Sequence, residues 1–142
     1  MMDHATYVAI RQKHTALIHT IEELKASIQA PETSAQTLQR LSETLRNRIS
    51  DRFIEESEHA LFQHLLQSAP RLQREIEALE GDHEELRLQL EALLQLFDAT
   101  GEVDRARFAD QYSAFLQHFS DHERREDDLI QEVYDDDLGS GD

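Results

Sequence analysis

The segment FADQYSAFLQHFSDHERREDDLIQEV, residues 108–133, decides how the chain folds. Phe108, Tyr112, Phe115, Phe119, Leu129 or Ile130, and Val133 recur at three- and four-residue steps, the spacing that lines one face of an α-helix. Two places in that stripe are filled by His122 and Glu126, which share the same face one turn apart. A buried ionisable group is costly unless it is paired or bound to a metal. The helix is therefore clear, and the interruption needs a chemical reason.

Working outward, the same pattern appears elsewhere. Tyr7, Ile10, Leu17, Ile21, Leu24 and Ile28 form a stripe with His14 in one of its places. Leu72, Ile76, Leu79, Leu86, Leu90, Leu93 and Phe97 form another, broken at His83. The remaining stripe begins with Leu38, Leu41, Leu45 and Ile49. Its strict continuation is Arg52, Glu56, His59, Gln63 and Leu66, while Phe53 or Ile54, Leu61, Phe62 and Leu65 form a second face.

Three breaks separate these stripes: Ala30–Ser34 around Pro31, Ser68–Pro70, and Asp98–Gly101. Proline stops or starts helices, and Thr33, Ser34 or Asp104 can cap the ones that follow. The spacing predicts helices near 4–29, 35–67, 71–97 and 104–134, with no β-branched runs to suggest strands. Short connections between long helices give an all-α, antiparallel up-down four-helix bundle. Residues 1–134 form one domain, and the acidic segment 135–142 reads as a disordered tail.

Composition narrows the function. The 142 residues carry a formal net charge of -16 and no cysteine. Thiolate sites, disulfides and cysteine nucleophiles are excluded. So negative a chain repels phosphate backbones and anionic lipid surfaces, so neither nucleic acid nor membrane is an expected partner. No apolar run approaches the ~20 residues of a membrane span, and the start lacks the pattern of a secretory signal. The expected location is cytoplasmic. Nucleophile elbows and phosphate loops leave no trace.

Each helix interrupts its stripe near its own middle, and mid-helix positions of an antiparallel bundle lie at similar heights. The interruptions can thus converge in one layer. Imidazoles with carboxylates suit iron, zinc or manganese. Glu56 and His59 have the Glu-x-x-His spacing used by carboxylate di-metal bundles. Glu80 and His83 repeat it, though Glu80 falls beside the stripe. The competing reading is a buried salt-bridge layer, in which Arg52 and Arg87 neutralise Glu56 and Glu126 without any metal.

His14 in KHTALIHTIEEL, His83 in LEGDHEELRLQLEALL and His122 in HFSDHERREDDLI resemble the hemerythrin-like, or HHE cation-binding, domains. The resemblance covers residues 5–134. His122 with Glu126 and Asp127 matches both the His-x3-Glu and the His-x4-Asp variants of that family. The resemblance implies a non-haem centre, most simply two iron ions, on His14, Glu56, His59, His83, His122, Glu126 and Asp127.

Two departures stand out. Helix two lacks the family's His-x3-Glu pair. Aligning Leu61-Phe62 with the family's usual Leu-Phe puts Phe53 and Ser57 at the ligand positions. Taking His59 as ligand instead leaves Gln63 where the acid belongs, so that Glu56 supplies the bridge and Phe53 is an apolar wall. The second placement keeps to the stripe and is preferred. Arg87 stands where oxygen-carrying members have a further histidine. His118, one turn before His122, is an alternative ligand or the neighbour of one, and His4, His19 and His64 receive no role.

The expectation is a metal-binding protein, not an enzyme, that binds or senses dioxygen, nitric oxide or iron. The alternatives are a metal-free acidic module that recruits a basic protein, and a ferritin-like carboxylate oxidase.

Overall fold

The computed structural model describes residues 4–54 and 61–140. They form α1 (His4–Gln29), α2 (Ala35–Ile54), α3 (Leu61–Ser68), a 3₁₀ turn (Pro70–Leu72), α4 (Gln73–Leu94) and α5 (Arg105–Ser140). No strand occurs among the described residues, so the all-helical expectation holds.

Local chemistry sets the helix ends. Pro31 lies just beyond the end of α1 and cannot supply the amide a further turn would use. Ser34 then caps α2, its Oγ accepting from the Thr37 amide at 3.1 Å; of the two candidate caps it is Ser34 that serves. Asp104 caps α5 in the same way through the Arg107 amide at 3.2 Å. Between α4 and α5, Asp98 Oδ1 accepts from the amides of Thr100 and Glu102. Gly101 there has φ of 83°, a left-handed value that a side chain would strain.

Three boundaries differ from the sequence expectation. Pro70 opens a 3₁₀ turn, and the α-helix proper starts at Gln73. Helix α4 stops at Leu94, because the chain tightens into turns at Leu96 and Phe97. Helix α5 continues to Ser140, past the expected end at 134 and into the acidic segment.

The four long helices pack in a ring, α1 on α2, α2 on α4, α4 on α5 and α5 on α1. Contacts of α5 with the α1 and α4 sides step in opposite senses. Arg105 donates to the Thr33 carbonyl, Tyr112 to the Ile21 carbonyl at 2.9 Å, and His4 meets Tyr134 at 2.8 Å. Likewise Phe97 packs on Phe108 while His118 and Gln89 lie 2.7 Å apart.

The buried apolar residues fall into two clusters. The larger includes Leu17, Leu24, Leu45, Phe53, Leu86, Leu90, Phe108, Tyr112, Phe115 and Phe119. The smaller holds Phe62, Leu65, Leu72, Ile76, Leu79, Leu129, Ile130 and Val133. Along α4 and α5 the buried residues between the clusters are His83, His122 and Glu126, and Arg52 joins them from α2.

One position in this framework is under-stabilised. Gly81 lies inside α4, and a methyl group added there meets nothing within 4 Å. Glycine in a helix interior is about 0.5–1 kcal/mol worse than alanine. Gly81→Ala should raise the urea unfolding free energy by roughly that amount, and a loss of stability would show that α4 is packed where it looks open.

Candidate metal centre

The centre grows from one face of α5. His122 and Glu126, four residues apart, both point inward and are 0% exposed. The imidazole Nε2 lies 3.3 Å from Glu126 Oε2. Helix α4 brings His83, 8% exposed, to the same place. The His83 and His122 rings are 5.1 Å apart and nearly edge-to-face. One ligand atom from each of His83, His122 and Glu126 lies within 4.8 Å of the others.

Aromatic rings close the centre. Phe53 lies flat on His83 with centroids 3.9 Å apart and planes within 7°. Phe62 stacks against the same imidazole at 5.4 Å, and Phe53 meets His122 edge-on at 5.8 Å. Phe53, read from the sequence as an apolar wall, is in direct contact with both imidazoles.

Charges fix the orientation of each group. An ionised carboxylate can only accept, so His122 Nδ1 carries the proton it shares with Asp82 Oδ2 at 3.0 Å. Nε2 then faces Glu126 and His83, and it would ligate a metal by giving up the proton that Glu126 and Asp82 favour in the metal-free fold. A histidine whose second nitrogen is held by a carboxylate is the usual support for a metal ligand. Burial opposes ionisation of Asp82, yet the hydrogen bond from His122 and the Arg125 guanidinium outweigh it and hold the carboxyl below its ordinary range. Arg125 also hydrogen-bonds Asp82 directly.

Glu126 has a second partner. Arg52, 7% exposed, donates through Nη2 to Glu126 Oε1 at 3.0 Å, and the same nitrogen lies 2.7 Å from Glu123 Oε2. Removing one member of such a buried pair typically costs about 3–5 kcal/mol, because the other is left uncompensated.

The two imidazoles respond oppositely to this field. Burial, together with the positive His122, pushes His83 down to about 4. Burial also works against His122, but Glu126 and Asp82 prevail and raise it. Near neutrality His83 is therefore a neutral base, the form that ligates metals.

The residues named from the sequence fall into three groups. His83, His122 and Glu126 come together. Asp127 is half-buried on α5 and stands outside that trio. Glu56 and His59 lie outside the described residues, as does the side chain of His14, whose backbone belongs to α1. Arg87 requires correction: it is exposed and paired with Glu84 at 2.7 Å, so it neutralises nothing in the core. Position 87 lies one place beyond the buried stripe residue Leu86, about 100° further round α4, which carries its side chain out to solvent and not into the layer that Arg52 enters from α2.

Sequence reasoning missed Asp82 and Glu123. Both adjoin stripe histidines and look like ordinary solvated acids. The available signal was the matched polar spacing of Asp82, Glu85 and Gln89 on α4 with His118, His122 and Arg125 on α5. His118 sits in this seam, its Nδ1 2.7 Å from Gln89 Oε1 and its Nε2 3.5 Å from Asp82 Oδ1.

With this geometry in view, the comparison with known families is decisive. A family model described as the Hemerythrin HHE cation binding domain matches residues 5–134. The chain belongs to the hemerythrin family. Membership makes it a cation-binding helical domain, and the His83–His122–Glu126 group of this HHE domain is a place where a metal can be held. No curated protein and no solved structure matches the chain.

The pH response of the metal-free protein follows from the signs above. The unfolded chain protonates His83 near 6.5, the folded one only near 4. His83 therefore adds nothing unfavourable above 6.5, and its burial costs stability as pH falls from 6.5 toward 4. His122, being raised, contributes most below 6.5 and loses its contribution as pH rises through its folded value. Between pH 7 and pH 5 the His83 cost is on the order of 2 kcal/mol. Urea unfolding of metal-free protein should show that acid-side loss in the wild type and less of it in His83→Leu; equal losses would mean His83 takes its proton freely in the fold.

Proposed function

We propose that this HHE domain is a non-haem iron protein that binds a small diatomic molecule, dioxygen or nitric oxide, at a centre built on His83, His122 and Glu126. The bundle carrying it is read as an antiparallel up-down arrangement of α1, α2, α4 and α5. The observation that supports the reading most is the ligand set. Two imidazoles and one carboxylate with positions left open are the set that non-haem ferrous sites use. Ligands at ~2.1 Å from a common ion stand roughly 3.0–3.4 Å apart, and the His122–Glu126 separation is 3.3 Å. Ferrous iron supplies an open coordination position to which such a molecule can bind.

The remaining chemistry belongs to the chain. Asp82 holds the His122 tautomer, Phe53 and Phe62 keep water from His83, and Arg52 balances the charge of Glu126. Zinc or manganese fits the same donors. On a two-ion reading of the same layer, His14, Glu56, His59 and Asp127 would be the further ligands, and metal stoichiometry decides between one ion and two.

One observation favours a second reading. The Arg52–Glu126 pair already neutralises the buried carboxylate, as a metal-free polar layer in an interaction module requires. Metal analysis separates the two. Protein purified with iron supplied should hold metal stoichiometrically, His83→Ala and His122→Ala should each lose most of it while staying helical, and Asp82→Asn should bind about 10–100-fold more weakly. Anaerobic nitric oxide should change the visible spectrum of the ferrous protein. Absence of metal in the wild type would leave the salt-bridge layer as the function of these residues.

A further inference from the structure

We infer that Arg52 is a built-in cation that takes the place of a second metal ion beside Glu126, so that the centre accepts one ion only. This rests on the metal-binding reading above and concerns what α2 does in it. A carboxylate that bridges two ions must offer one oxygen to each. In this chain the two oxygens of Glu126 face different charges. Oε2 lies by the His122 imidazole at 3.3 Å, within the group that can hold an ion. Oε1 accepts the guanidinium of Arg52 at 3.0 Å.

The arginine is anchored on more than one side. Its Nη2 also reaches Glu123 Oε2 at 2.7 Å, so it spans two acids one turn apart on α5. It is 7% exposed, and a guanidinium does not lose its proton in proteins. The next residue, Phe53, covers His83 with the face of its ring. The described part of α2 therefore presents a fixed positive charge and an apolar wall to the centre, and contributes no member of the ligand group.

Charge arithmetic points the same way. Glu123 and Glu126 bring two negative charges against one from Arg52, which leaves one negative charge for a divalent ion to meet. Exchanging Arg52 for a neutral residue removes a positive charge from beside both carboxylates and so strengthens their attraction for a metal ion. A fixed positive charge at this distance weakens binding of a nearby metal ion, so its removal must tighten it.

The test is titration of metal-free protein with cobalt(II), read by visible absorption and calorimetry. Wild type should bind one equivalent. Arg52→Gln should bind cobalt(II) at least tenfold more tightly. Arg52→Lys, which retains the charge, should stay within about threefold of wild type. If Arg52→Gln does not fold, the double variant Arg52→Gln/Glu123→Gln removes the cation together with one acid it balances, and should tighten binding relative to Glu123→Gln alone. Two equivalents in the wild type, both weakened by His83→Ala, would overturn the inference and leave the metal-binding reading standing. Equal affinity of the glutamine variant and wild type, or equal tightening by lysine and glutamine, would also overturn it. No cobalt bound by any of these proteins would overturn both.

Discussion

A carboxylate with no exposure needs positive charge or hydrogen-bond donors on every side, and Glu126 is such a carboxylate. Much of the interior is arranged to meet that need. Arg52 reaches it from α2, His122 from the preceding turn of its own helix, and Asp82 steadies His122 from α4. Three helices are thus brought into register by one acid. A slip of any of them by a single residue rotates its polar group by about 100° and out of the layer, so the layer specifies alignment in a way that leucine stripes alone do not.

The position of the layer explains the division of the core. Phe53 belongs to the larger apolar cluster and Phe62 to the smaller, and both stack on the His83 imidazole. The imidazole is the joint between them. Its depressed basicity follows from the same contacts: aromatic faces exclude water, and His122 nearby disfavours a second positive charge. In this way the packing that buries His83 also keeps it in the state in which its nitrogen can bind a metal. Hemerythrin-family membership accounts for a cation-binding centre in general; Arg52 adds a protein cation to it.

The legible part of this structure was periodic. Stripes on α1, α4 and α5 announced the helices, and because His83, His122 and Glu126 occupied stripe places, their burial could be read directly. Arg52 was legible too, lying on the strict continuation of the α2 stripe, but periodicity does not say which acid a buried arginine meets. Asp82 and Glu123 escaped notice because their positions border the stripe, where a carboxylate is equally at home in water. Arg87 was misassigned for a related reason: its charge suited the layer, and only the rotation of α4 shows that its side chain leaves the core for Glu84. The end of α5 was missed because a run of aspartates resembles a solvated tail, whereas a long helix can carry charged residues when it extends past the packed region.

The division of the apolar interior has a consequence for how the molecule comes apart. In a single continuous core, loosening any part weakens every other part, and unfolding is all-or-none. Among the described residues the two clusters meet across a thin polar layer made by His83, His122, Glu126 and Arg52. Cooperativity must pass through that layer. A mismatch of charge there is expected to loosen the smaller cluster, built around Phe62, Leu65, Ile76 and Ile130, before the larger one. An ion bound in the layer would then do more than occupy a site: it would couple the two halves into one mechanical whole.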